Sequence, residues 1–197
     1  MSLPYANLDF MPPVVNTGIW KKPGDWFMTA YERDMLVALA KSINAATVIE
    51  TGVQIGGAAK EILSNVPTVQ NYVGIDILPT SVPNMPQQAS EVPEMAGHLV
   101  RHDKRFKLLL SSNGSLDLEP LSLPMCDLFL IDGDHSRKGV LHDTMLARAL
   151  VRRGGIILWH DYNEECVVDS KAVIDEMHAE GHAIERIFNT WFAMERR

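Results

Sequence analysis

The chain has 197 residues, 46% of them hydrophobic, and a formal net charge of −7. That suits one soluble domain with a substantial core, and the lack of any long basic run argues against nucleic acid as the main partner. No apolar run reaches the length of a membrane span, Met1-Ser2-Leu3-Pro4-Tyr5 lacks the charged and apolar regions of a signal peptide, and Cys126 and Cys166 form no metal or redox motif, so a cytoplasmic protein is expected.

Residues 1–25 carry Pro4, Pro12, Pro13, Pro23 and Trp20, with Trp26 just beyond, a composition that makes neither regular helix nor strand. They read as an N-terminal arm packed on the surface, with a lid or homodimer contact as the other use of its tryptophans, and residues 26–197 as the domain proper. Tyr31 to Ile43 has helical periodicity, with Met35, Leu36, Leu39 and Ile43 on one face. The β-branched run from Ala46 predicts a first strand ending at Glu50, followed by the turn Thr51-Gly52-Val53-Gln54-Ile55-Gly56-Gly57 and a helix to about Ser64. Tyr72 to Ile77 is a second strand. Residues 78–104 hold Pro79, Pro83, Pro86 and Pro93, which predicts an irregular or only briefly helical crossover. Phe106 to Leu110 and Cys126 to Asp132 are the third and fourth strands. A helix over Val140 to Val151 is predicted to end in the basic turn Arg152-Arg153 before Gly154-Gly155, with a fifth strand over Ile156 to His160. A helix over Val167 to Ala179 and two terminal strands, Ile184 to Phe188 and Trp191 to Glu195, complete the chain. Strands alternating with helices and closing in a hairpin predict a doubly wound, mostly parallel α/β sheet with an antiparallel C-terminal hairpin.

In such sheets the ligand lies across the carboxyl ends of the strands, beside the first glycine turn. Here the turn speaks against a dinucleotide. The G-x-G-x-x-G pattern uses its second glycine to let backbone approach a pyrophosphate, and Gln54 stands in that place. Glu50 would repel a diphosphate and attract a cation, so a positively charged nucleoside without phosphate fits, and S-adenosylmethionine is the common one. Polar residues end five strands: Glu50, Asp76, Ser111-Ser112-Asn113, Asp132 and His160-Asp161. Asp76, 26 residues beyond Glu50, is placed to accept the ribose hydroxyls. Cofactor contacts are expected at Glu50, Thr51, Gly52, Gly56, Asp76, Ser112 and Asp132. In Asp132-Gly133-Asp134-His135, two carboxylates can divide the work, one holding a cation and the other taking a proton. Asp132, His160 and Asp161 offer two carboxylates and an imidazole, a set suited to Mg²⁺, Mn²⁺ or another divalent ion. The competing reading has His160 hydrogen-bonding Asp132 or Asp134 and ordering the loop without metal.

These motifs, Glu50 to Gly57, Ile131 to His135 and Gly154 to Tyr162, resemble those of class I S-adenosylmethionine-dependent methyltransferases. Within them the chain is similar to a small group with an I-D-G-D-H loop and an H-D-Y strand end, related to metal-dependent O-methyltransferases of sugars and catechols. The resemblance covers about residues 30–197. It implies a Rossmann-like seven-stranded sheet, S-adenosyl-L-methionine as cofactor, a small-molecule hydroxyl as methyl acceptor, Asp132, His160 and Asp161 as metal ligands, and Asp134 as the catalytic base. The chain carries His160 where those relatives usually carry a carboxylate. A metal-independent N- or carboxyl-methyltransferase and a non-catalytic cofactor-binding subunit are the alternatives.

Overall fold

The computed structural model describes residues 3–8, 28–90, 92–164 and 168–197. The tryptophans of the expected arm and its dimer contact lie outside the described residues, as does Cys166. Within the first stretch, Leu3 is buried and the backbone around Tyr5 hydrogen-bonds Arg186, so residues 3–8 run along the edge of the sheet.

Helix α1 (Ala30–Ser42) starts at a capping box, in which the Thr29 hydroxyl takes the Glu32 N–H and the Glu32 carboxylate takes the Thr29 N–H. It leads to β1 (Thr47–Thr51), and the glycine turn then opens α2 (Gly57–Asn65). β2 (Asn71–Ile77) is followed by the crossover, which holds only a short 3₁₀ turn at Pro86–Ser90. β3 (Phe106–Ser111), β4 (Cys126–Ile131), α3 (Arg137–Leu150), β5 (Val151–Trp159), α4 (Ser170–Ala179), β6 (Ile184–Arg186) and β7 (Ala193–Arg196) complete the fold. The sheet has seven strands in the order β3-β2-β1-β4-β5-β7-β6, parallel except for β7.

Side-chain alternation along the central strands builds two cores. Val48, Leu128 and Leu130 face α1 and α2, packing with Leu36, Leu39 and Ile62. Ile49, Phe129 and Ile131 face α3 and α4, packing with Leu146, Ala147 and Ile174. The strand order reverses between β1 and β4, whose register sets Thr51 beside Ile131 and so brings Gly52 level with Asp132.

One predicted boundary is corrected. Arg152 to Gly155 do not close a helix; α3 ends at Leu150, and Val151, buried and extended, already pairs with Cys126. The ladder shifts register between Cys126 and Leu128, and the strand accommodates the extra residues through Gly154, with φ of +86°. Arg152 pairs with Asp127 across the strands at 3.0 Å. Among the described residues no helix is long and apolar enough to cross a membrane.

Candidate active site

A cavity of about 420 Å³ opens over the carboxyl ends of β1, β2, β4 and β5, roofed by the crossover. Its floor is the glycine turn. Gly52 has φ of +80°, and a Cβ there would lie 1.9 Å from the carbonyl oxygen of Asp132, so only glycine lets the β1 and β4 ends meet. Gly56 has φ of +92° and caps the start of α2; it packs on Gly97 and Val100 rather than lining the cavity. Gln54 also takes a left-handed φ of 50°, and its N–H is held by Asp76 Oδ2 at 2.7 Å.

Of the residues expected to contact a cofactor, Glu50, Thr51, Gly52, Asp76, Ser112 and Asp132 all line this cavity. Asp76 caps no helix: its carboxylate ties the glycine turn to β2, taking the Gln54 N–H and its neighbour Ile77's N–H. Burial raises its pKa, and those two N–H groups partly offset this. Glu50 is buried and accepts the Tyr72 hydroxyl at 2.7 Å. Burial pushes its pKa well above the usual carboxylate range, so it holds a negative charge readily only beside a cation. The Thr51 hydroxyl instead donates to Asp143 on α3, at 2.7 Å.

The second half of the site is the loop after β4 and the end of β5. Asp134 accepts the Ser136 N–H at one oxygen, 2.9 Å away, and the Asn84 amide at the other, 2.6 Å away. Gln88 donates to the Gly133 carbonyl at 2.8 Å, so the crossover holds the Asp132–His135 loop through two amide side chains. His160 Nδ1 lies 3.2 Å from Asp132 Oδ1 and 3.2 Å from Asp161 Oδ1, while its Nε2 faces Glu32 Oε1 at 3.7 Å. Burial disfavours a charge on His160, but Asp132, Asp161 and Glu32 outweigh it and raise its pKa well above the ordinary imidazole value. Glu32 is lowered in turn, because His160 and the N–H groups of Thr29 and Trp191 overcome its burial. Asp132 is raised, chiefly by burial, with His160 pulling it back.

A second imidazole shares this cluster. His135 Nε2 is 3.1 Å from Asp161 Oδ2, and one ligand atom each from Asp132, His135 and Asp161 lie within 4.8 Å of one another. Asp161 reaches it through a left-handed φ of 58°. In the sequence, the only mark of a role for His135 is its place after two carboxylates at a strand end. Glu32, Asn84 and Gln88 went unread because a capping residue and two amides in a proline-rich segment carry no distinguishing pattern.

A sheet of this order, with an antiparallel seventh strand and a cavity at its switch point, is the class I S-adenosylmethionine-dependent methyltransferase fold. A family model described as a methyltransferase domain matches residues 49–162, and the chain belongs to that family. Among solved structures the fold is similar to the O-methyltransferase NovP, with 17% identity over 86% of this chain and 82% of that one, at a TM-score of 0.63. It is also similar to the O-methyltransferase TomG of Streptomyces achromogenes in complex with S-adenosylmethionine, with 13% identity, 87% and 81% coverage and a TM-score of 0.58. A putative O-methyltransferase of Klebsiella pneumoniae matches with 19% identity, the same coverage and a TM-score of 0.57. At these identities the likeness is one of fold. A curated relative, the uncharacterized protein R132 of Acanthamoeba polyphaga mimivirus, is 29% identical over 119 residues, and the chain spans about half of its length, 52%.

Proposed function

We propose that this protein transfers a methyl group from S-adenosylmethionine to a hydroxyl of a small molecule, with a divalent cation assisting. The observation that carries this reading is the acidity of the cavity: five carboxyl groups, Glu50, Asp76, Asp132, Asp134 and Asp161, line one space of about 420 Å³, and buried Glu50 takes its charge beside a cation. That lining suits a sulfonium nucleoside and repels phosphates. The cofactor supplies an electrophilic methyl on a positively charged sulfur. The protein's share is to place the two reactants and to remove the acceptor's proton.

Asp76 keeps acceptor capacity beyond its bonds to Gln54 and Ile77, since a carboxylate offers about four lone-pair sites, and it would take the ribose hydroxyls. Gly52, with no side chain, would leave its backbone open to the ligand, Ser112 at the end of β3 would meet the nucleoside, and Glu50 would take the ammonium of the amino-acid portion. Asp134, fixed by Ser136 and Asn84 at the mouth of the loop, would accept the hydroxyl proton.

The donor set fits a divalent ion: two carboxylates converge with imidazole nitrogen, a mixture suited to Mg²⁺ or Mn²⁺. Asp132 and Asp161 would hold it, with His160 as the motif order implies or with His135. The ion would lower the pKa of the acceptor hydroxyl. Loss of Mn²⁺ binding in His160→Ala with retention in His135→Ala, or the reverse, assigns the imidazole. A metal-independent reading has its own support, because His160 Nδ1 lies at hydrogen-bond distance from both carboxylates. Formation of S-adenosylhomocysteine with a panel of hydroxylated small molecules, with and without EDTA, decides. Turnover that stops in EDTA and returns with Mg²⁺ or Mn²⁺ is expected. Turnover that persists in EDTA supports the metal-free reading, and cofactor binding without turnover supports a non-catalytic subunit.

A further inference from the structure

Arg33 is a cation in an acidic cavity. It belongs to the first turn of α1, and among the described lining residues no other Lys or Arg is present. Its side chain is only 13% exposed. Nη1 donates to the carbonyl oxygen of Met28 at 2.7 Å, and Nε lies 3.9 Å from Glu61, a buried residue of the helix that the glycine turn opens. A guanidinium held in this way has lost much of its rotamer freedom before any ligand arrives, and its planar fork matches a carboxylate better than any other side chain does. An α-amino acid needs one acceptor for its ammonium and one cationic donor for its carboxylate. Glu50, at the end of β1, and Arg33, beside Glu61 on the helix that follows the glycine turn, both line the cavity and offer one of each.

We infer that Arg33 binds the α-carboxylate of the cofactor's methionine portion, forming with Glu50 a zwitterion clamp that discriminates for the intact amino acid. This rests on the cofactor assignment above. The guanidinium also offsets part of the negative field in the cavity, which eases the entry of an anionic group.

The experiment is calorimetric titration of S-adenosylhomocysteine and of its decarboxylated analogue, which keeps the adenosine and the ammonium, into wild type, Arg33→Met and Arg33→Lys. Arg33→Met is expected to weaken S-adenosylhomocysteine by about 10- to 100-fold and to change the analogue by less than about 3-fold. Arg33→Lys, which keeps the charge and loses the fork, falls between them and stands in should the methionine variant not fold. Equal weakening of both ligands would make Arg33 a structural residue and overturn the assignment. Unchanged binding of S-adenosylhomocysteine, with a raised KM for a carboxylate-bearing acceptor, would move the carboxylate to the acceptor and overturn it as well. If wild type binds neither ligand, the cofactor reading itself falls; binding of both without the difference removes only the role of Arg33.

Discussion

A Cβ at Gly52 would sit 1.9 Å from the carbonyl oxygen of Asp132, on a backbone with φ of +80°, so alanine must push β1 and β4 apart at the floor of the cavity. Gly52→Ala is expected to cost more than about 4 kcal/mol and to lower Tm by about 10 °C or more, measured by thermal unfolding. A shift of a degree or two would mean that the strands part easily there. Asp76→Asn keeps an acceptor for Gln54 but loses the charge, and S-adenosylhomocysteine should bind about 10- to 100-fold more weakly. Unchanged affinity would remove the ribose role. Glu50, Asp76, Asp132 and Asp161 were legible because carboxylates at the ends of apolar runs stand out. Glu32 and Arg33 were not, because they sit on a helix before the first strand, where Glu32 reads as a cap and Arg33 as a solvated residue. Only the packing of α1 against the site gives them another meaning.

The contact between β1 and α3 carries a titration of its own. Asp143, fully buried on α3, accepts the Thr51 hydroxyl, and burial raises its pKa to about 6 despite the hydroxyls of Ser115 and Thr51 beside it. In the unfolded chain it titrates near the usual aspartate value of about 3.9. Between about pH 4 and 6 the folded state therefore binds more proton than the unfolded state, so stability falls as pH rises through that window, by on the order of 3 kcal/mol for this group. Asp143→Asn should flatten this part of the Tm profile and raise Tm at pH 7; a profile parallel to wild type would show that Asp143 is not so burdened. At the start of β4, Cys126 is buried and its thiol is pushed up to about 12, so native protein should leave the Cys126 peptide unlabelled by a maleimide while denatured protein labels it. The elements themselves were largely readable, since strands of β-branched and aliphatic runs alternate with periodic helices. The junction of α3 and β5 was not, because Arg152-Arg153-Gly154-Gly155 satisfies the rule for a helix end, and only pairing with Cys126 and Asp127 shows that it is a strand with a shifted register.

At the scale of the molecule, a parallel sheet wound on both faces directs five strand ends at one crevice, and four of them, those of β1, β2, β4 and β5, carry acid. The class of fold followed from the alternation of elements, and the cavity's charge from the motifs at their ends. How the crossover closes over the loop was not readable, because Asn84 and Gln88 act at long range through single hydrogen bonds that leave no periodic trace. The central claim is that this acidic crevice receives a sulfonium nucleoside and excludes phosphorylated ones. Calorimetric titration of S-adenosylmethionine, followed by competition with ATP and with NAD⁺, tests it most directly. One equivalent of S-adenosylmethionine should bind, with neither ATP nor NAD⁺ displacing it at millimolar concentration. Absence of S-adenosylmethionine binding at that concentration, or displacement by either phosphorylated ligand, would contradict the account.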